Sequence, residues 1–230
     1  EVCHMPNPGR MRELLFPGVT LYATPSGNPL NRTAYKIIGV KKEDSVILLD
    51  TSRCNDVAEY LINHHKIPGW EKYHVVKREI TMGNNRFDLL LSDGKNRDTF
   101  PVEVKSCTLF GRKGALFPDA VTARGSKHVA HLGEIGRQSH AGLLILVHCS
   151  NVEWFLPDFH TDIEFAQTFY NEMDYIDYKI AALHWGSDFT IPEKIKLIPT
   201  SKKVLSEEMG NHGDYLLVLH LDNDKMIEIG

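Results

Sequence analysis

The segment Arg86-Phe87-Asp88-Leu89-Leu90-Leu91, a turn, and Phe100-Pro101-Val102-Glu103-Val104-Lys105 hold the densest chemistry in the chain. Side chains alternate faces along a strand, so Glu103 and Lys105 project to one side while Val102 and Val104 go to the other. Asp88 sits in the apolar strand on the adjoining arm of the same hairpin. A carboxylate inside an apolar strand costs free energy unless it is paired, exposed or bound to metal. Two carboxylates on neighbouring strands can share a hard divalent cation such as Mg²⁺, which takes oxygen ligands and keeps several waters. A lysine beside them would orient a water or stabilise the charge developing on a phosphorane. The same residues would also serve as a Glu103–Lys105 surface pair on an edge strand, with Asp88 at a strand end. Both readings stand on these residues alone.

Glu59, on the preceding helical segment, offers a third acid. Asp56-Val57-Ala58-Glu59 also fits a capping box, in which Glu59 would close the start of its own helix. A basic stripe lies further on: Arg124, Lys127 and His131 fall at i, i+3 and i+7 of a helix, with His128 at its edge and Arg112 and Lys113 before it. Such a stripe beside a carboxylate site suits a phosphodiester backbone, whose phosphates supply most non-specific affinity. It equally suits a solvated helix face. Other chemistries lack their motifs: there is no GxxxxGK[ST], GxSxG or HExxH, and Gly133 and Gly136 form no dinucleotide fingerprint. His128 and His131 at i, i+3 have no Cys or acid partners at metal-ligand spacing.

The elements that must position these residues are readable. Val19–Tyr22, Tyr35–Val40 and Ser45–Leu49 are β-rich, and the last two flank Lys41-Lys42-Glu43-Asp44 as a hairpin would. Pro6-Asn7-Pro8-Gly9 and Pro25-Ser26-Gly27-Asn28-Pro29 are turn chemistry. Val57, Tyr60, Leu61 and His64 predict a helix over Asn55–His65. Strands follow at His74–Ile80, Arg86–Ser92 and Thr99–Ser106, then a helix from Val121 to Arg137. Leu143–Val147 reads as a buried central strand. A helix at Ile163–Met173 and short strands within 176–228 complete the chain. This order suggests a small β domain, residues 1–50, joined to an α/β domain, residues 51–230.

Composition sets the frame. The 230 residues are 42% hydrophobic and 24% charged, enough to bury a core, which excludes disordered and fibrous classes. Residues 1–140 hold 20 Lys and Arg against 15 Asp and Glu, whereas 141–230 hold 6 against 15, so +5 and −9 give the net −4. Only the first part suits a polyanion. The longest apolar run, Ala141–Val147, is far short of the roughly 20 residues that span a bilayer, so no membrane partner is expected. No signal-peptide pattern is visible, and Cys3, Cys54, Cys107 and Cys149 lie far apart without a CxxC, which favours free thiols and a cytoplasmic location. A chain that begins at Glu1 and enters a strand at once is what loss of an earlier segment would leave.

Several segments together resemble the sugar fermentation stimulation protein (SfsA) family along nearly the whole chain. They are His4–Met11, Asn55 with Glu59, Arg86–Leu90, Val102–Leu109, Phe117–His128, and Phe155–Asp158 followed by Phe165-Ala166. The resemblance implies an N-terminal OB-like β-barrel, incomplete in about 50 residues, followed by a restriction-endonuclease-like core of the PD-(D/E)XK type. Asp88, Glu103 and Lys105 would fill that signature, with Phe87 in place of its Pro and Glu59 as the accompanying helix acid. Asp88 and Glu103 would hold Mg²⁺, with Mn²⁺ as a substitute. Arg10, Arg112, Lys113, Arg124, Lys127 and His128 would contact DNA without sequence preference. Family members are described as DNA-binding proteins with a proposed regulatory role in sugar (maltose) metabolism. Two functions follow: a Mg²⁺-dependent DNA nuclease, favoured because a binding protein has no use for two acids beside phosphate, and a non-catalytic DNA-binding regulator on a nuclease-derived fold. Oligomeric state stays open, a homodimer included.

Overall fold

A computed structural model describes residues 1–7, 9–27, 30, 32–83, 85–95 and 98–210, with the backbone of 219–222 and 225–228. Parts of four expected turns lie outside the described residues: Pro8 and Asn28-Pro29 of the two N-terminal ones, Asn84 of Met82-Gly83-Asn84-Asn85, which separates the first two core strands, and Asn96 of Asp93-Gly94-Lys95-Asn96, which separates the next two. The N-terminal unit is an open sheet of β1 (Cys3–His4), β2 (Leu21–Pro25), β3 (Tyr35–Lys42) and β4 (Ser45–Leu48). β3 runs through its middle, antiparallel to β2 and β4 and parallel to β1. No closed barrel forms among the described residues, as the short segment implied. Met11, Leu14, Ile37, Val40, Ile47 and Leu49 are buried in the same apolar cluster as the α/β core, so the sheet packs directly onto it. Buried Asp50, paired with Lys36 at 2.6 Å, pins the junction.

The core is a six-stranded sheet. Its strands are β5 (His74–Met82), β6 (Asn85–Ser92), β7 (Thr99–Cys107), β10 (Gly142–Val147), β12 (Asp177–Leu183) and β13 (Ile195–Leu197), in the order β13-β12-β10-β7-β6-β5. β5, β6 and β7 form an antiparallel meander, while β7, β10 and β12 run parallel. Every residue of β10 is buried. Its alternate side chains divide between two cores: Leu143, Ile145 and Val147 meet α2 (Ala123–Gly136) and α3 (Ile163–Glu172), whereas Leu144 and Leu146 meet α1 (Cys54–Asn63). That two-sided burial is why its sequence is continuously apolar rather than alternating. β5 is the edge, and a register shift between Val75 and Lys77 with Glu79 at φ 55° interrupts it against further pairing.

Three features depart from the sequence reading. A small sheet of β8 (Leu109–Phe110), β9 (Gly114–Phe117) and β11 (Trp154–Pro157) was not foreseen. The segment read as strands alone contains α4 (Lys202–Gly210) before the β14 (Leu219–Asp222)–β15 (Lys225–Glu228) hairpin. The capping box at Asp56–Glu59 does not form: a 3₁₀ turn at Thr51–Arg53, capped by Asp50, leads straight into α1, so Asp56 already lies inside its first turn. No helix among the described residues is long and apolar enough to cross a membrane.

Candidate functional site

Hydrogen-bonded pairing between β6 and β7 runs from Ser92↔Thr99 to Leu89↔Val102 and stops there. The same register carried one residue further sets Asp88 against Glu103. Beyond the last pair, the N–H of Val104 turns to a side chain and donates to Asp88 Oδ2 at 2.8 Å. Asn55 Nδ2, from the first turns of α1, donates to the other oxygen at 2.9 Å. Each carboxylate oxygen has two lone pairs, so both retain capacity for a cation. Burial raises the Asp88 carboxyl above the usual aspartate range, and the negative charge of Glu103 adds to it.

Glu103 is buried, with 5% of its side chain exposed. Its two oxygens have different surroundings. Oε1 accepts from Lys105 Nζ at 2.6 Å and from His128 Nδ1 at 2.5 Å. Oε2 is buried and has no hydrogen-bond partner. A buried carboxylate oxygen left unpaired is costly, and a hard cation placed between it and Asp88 would satisfy it. Burial pushes the Glu103 carboxyl up, but the His128 bond and the Lys105 charge outweigh that and hold it below the usual range. Among the described residues no third His, Cys, Asp or Glu completes a larger ligand set. Two carboxylates with waters are a common complement for Mg²⁺.

His128 has a defined tautomer. Arg124 Nε can only donate, and it lies 3.4 Å from His128 Nε2, so that nitrogen accepts and Nδ1 carries the proton given to Glu103. The sequence placed His128 on the edge of a DNA-contacting stripe; at 5% exposure it belongs with the carboxylates instead. Arg124 and Lys127 are exposed at the start of α2, whose N-cap Thr122 accepts from Gly125 N. His131 is half-buried, bonded to Asn85 and packed on Phe87. Glu59 is bonded to Arg78 of β5, and the α1 residue that meets the carboxylates is Asn55, one turn earlier. The i, i+4 relation of Asn55 and Glu59 was the available signal. Arg10 is exposed beside Gly9, Arg112 lines a separate recess with Lys42 and Phe110, and Lys113 pairs with Glu153.

This arrangement can hold one divalent cation against two carboxylates with an ammonium group alongside, flanked by exposed cations on α2. Comparison with known proteins agrees with the architecture. Residues 52–183 match the family model described as the sugar fermentation stimulation protein RE domain, and residues 1–49 match the SfsA N-terminal OB domain. Proteins described as sugar fermentation stimulation protein homologs, from Methanosphaera stadtmanae and Clostridium novyi, are each 40% identical over 73% and 71% of this chain and 70% and 72% of theirs. A solved structure described as Pyrococcus furiosus SfsA in complex with Ca²⁺ superposes with a TM-score of 0.74 at 24% identity, covering 86% of this chain and 84% of that one. The chain therefore belongs to the sugar fermentation stimulation protein family.

Proposed function

We propose that this protein is a divalent-metal-dependent DNA nuclease with little sequence preference. The observation that carries the reading is Glu103: one oxygen is held by two donors, and the other is buried without a partner, on the residue that the β6–β7 register sets against Asp88. The Ca²⁺ complex of the Pyrococcus furiosus relative supports it, since Ca²⁺ and Mg²⁺ both take hard oxygen ligands. Asp88 and Glu103 Oε2 would hold the ion, Mg²⁺ or Mn²⁺. When bound, the cation supplies Lewis-acid stabilisation of charge on the phosphate oxygens. Asn55 and the Val104 N–H fix the Asp88 carboxylate, and His128 fixes that of Glu103. Lys105, with 15% of its side chain exposed, stands at the rim of the site, where its ammonium can meet a phosphate oxygen as negative charge develops. Arg124 and Lys127 would neutralise flanking phosphates without reading bases.

The test is nicking of supercoiled plasmid by the parent and Glu103→Ala proteins in Mg²⁺, Mn²⁺ and EDTA. The nuclease reading expects parent cleavage with either metal, none in EDTA and none by Glu103→Ala. Plasmid left intact by the parent in both metals would instead favour the family's regulatory, binding-only role.

A further inference from the structure

The C-terminal end of β7 opens into a cleft of about 340 Å³ that neither the carboxylates nor the α2 cations occupy. Ser106 and Thr108 contribute to its wall, and Asn7, Gly9, Phe117 and Asp119 also line it. Apart from Thr51, all its lining residues belong to three of the segments on which the family resemblance rests. The volume lies near the lower end of small-molecule sites, roughly 300–1,000 Å³. Its location is also where open α/β sheets receive ligands, outside the carboxyl ends of parallel strands.

We propose that this cleft receives an unpaired nucleobase bearing an exocyclic amine, from a DNA strand engaged at the carboxylate site. The inference rests on the nuclease reading for the strand's presence and adds what the protein selects. Distance permits it: Ser106 and Thr108 are three and five residues beyond Glu103, about 10 and 16 Å along a strand. That is a span of a few nucleotides. Charge disfavours a phosphate, because among the described residues no Lys or Arg lines the cleft and the carboxylate of Asp119 does.

Asp119 states what the cleft lacks. None of the described residues donates to its carboxylate; Oδ2 is covered by the wall at Gly9, so the oxygen a ligand in the cleft would meet is Oδ1. A ligand that donates would satisfy it. Cytosine N4, the amine that acidic side chains accept from in DNA readout, is such a donor. Thymine offers one N–H between two carbonyl oxygens, which a carboxylate repels. The half-buried ring of Phe117 gives the base a face to stack on, held by edge contact with Phe165 at 5.1 Å. Gly9 closes the wall: a Cβ there would lie 2.3 Å from Asp119 Oδ2, so only glycine leaves the carboxylate in place.

The experiment is fluorescence anisotropy with short labelled oligo(dC) and oligo(dT) at pH 8 in EDTA, where no strand is cut. These pyrimidine strands match in size and charge, so their affinity ratio reports the base alone. The parent should bind oligo(dC) about tenfold more tightly, as expected for a hydrogen bond to a charged group. Asp119→Asn, whose amide both donates and accepts, should bind the two strands alike, and Gly9→Ala should lose most of the preference. Equal affinities in the parent, or a preference that survives Asp119→Asn, overturn the proposal while leaving the nuclease reading untouched. Failure to bind any DNA would overturn both.

Discussion

Replacing His128 with leucine removes one of the two donors on Glu103 Oε1 and leaves Lys105 as the other. Leucine fills much of the ring's volume, and the exposed Arg124 freed by the change can turn to water. The perturbation is thus confined to the orientation and charge of one carboxylate. Burial already works against the charged form of Glu103, and the His128 bond heads the effects that offset it. Losing that bond lets the carboxylate rotate away from the orientation in which the two donors hold it. Groups that orient metal ligands in this way are typically worth about 10–100-fold in metal affinity. That is roughly 1.4–2.7 kcal/mol, in line with about 1.5–3 kcal/mol for a hydrogen bond to a charged group. The assay is titration of the free protein with Mn²⁺, read from the EPR signal of unbound ion, with thermal melting to check the fold. His128→Asn should recover most of the affinity, because its amide nitrogen sits at the δ position from which the histidine donates. Parent-like Mn²⁺ affinity in His128→Leu, with the fold intact, would refute the reasoning.

Three further outcomes follow from the same geometry. Lys105→Ala should keep its Mn²⁺ affinity within a few-fold but lose about 2–4 kcal/mol of transition-state stabilisation, roughly 30- to 1,000-fold in single-turnover cleavage; equal losses in affinity and rate would contradict the role. Arg124→Ala and Lys127→Ala should each weaken every duplex alike and lower the slope of log K against log salt by about 0.9; a loss confined to one sequence would contradict phosphate contact. Buried His148 accepts from the Trp185 indole on Nδ1, and burial pushes its pKa down from 6.5 to about 3. The unfolded chain therefore binds the extra proton first, and stability falls as pH drops below 6.5, by about 1.4 kcal/mol per unit. Urea unfolding at pH 6.5 and pH 5 should show about 2 kcal/mol of such loss in the parent and less in His148→Phe.

The sequence made some of this legible for definite reasons. The unbroken apolar run at Leu143–Val147 required two covered faces, and β10 lies between two helical layers. The alternation at Glu103 and Lys105 aimed both at one side, and the two side chains do meet. The turn between two short strands placed Asp88 on the strand next to Glu103. What stayed hidden depended on long-range packing. Nothing in the spacing of His128 shows that its side of α2 is buried against β7 while Arg124, one turn away, is exposed. Asn55 gained its place only because α1 starts directly from the 3₁₀ turn that Asp50 caps. The pairing of β9 with β11 joins short segments some 40 residues apart, with no local turn to announce it. In α4 a single buried residue, Leu205, gives too weak a period to separate helix from strand.

The central claim is that Asp88 and Glu103 together hold a divalent cation. Anomalous diffraction from crystals grown with Mn²⁺ tests it at the atoms themselves, on parent and Glu103→Ala proteins. The account predicts a peak touching the Asp88 carboxylate and Glu103 Oε2 in the parent, and no peak there in Glu103→Ala. A parent crystal with Mn²⁺ bound elsewhere and none between these carboxylates would contradict it.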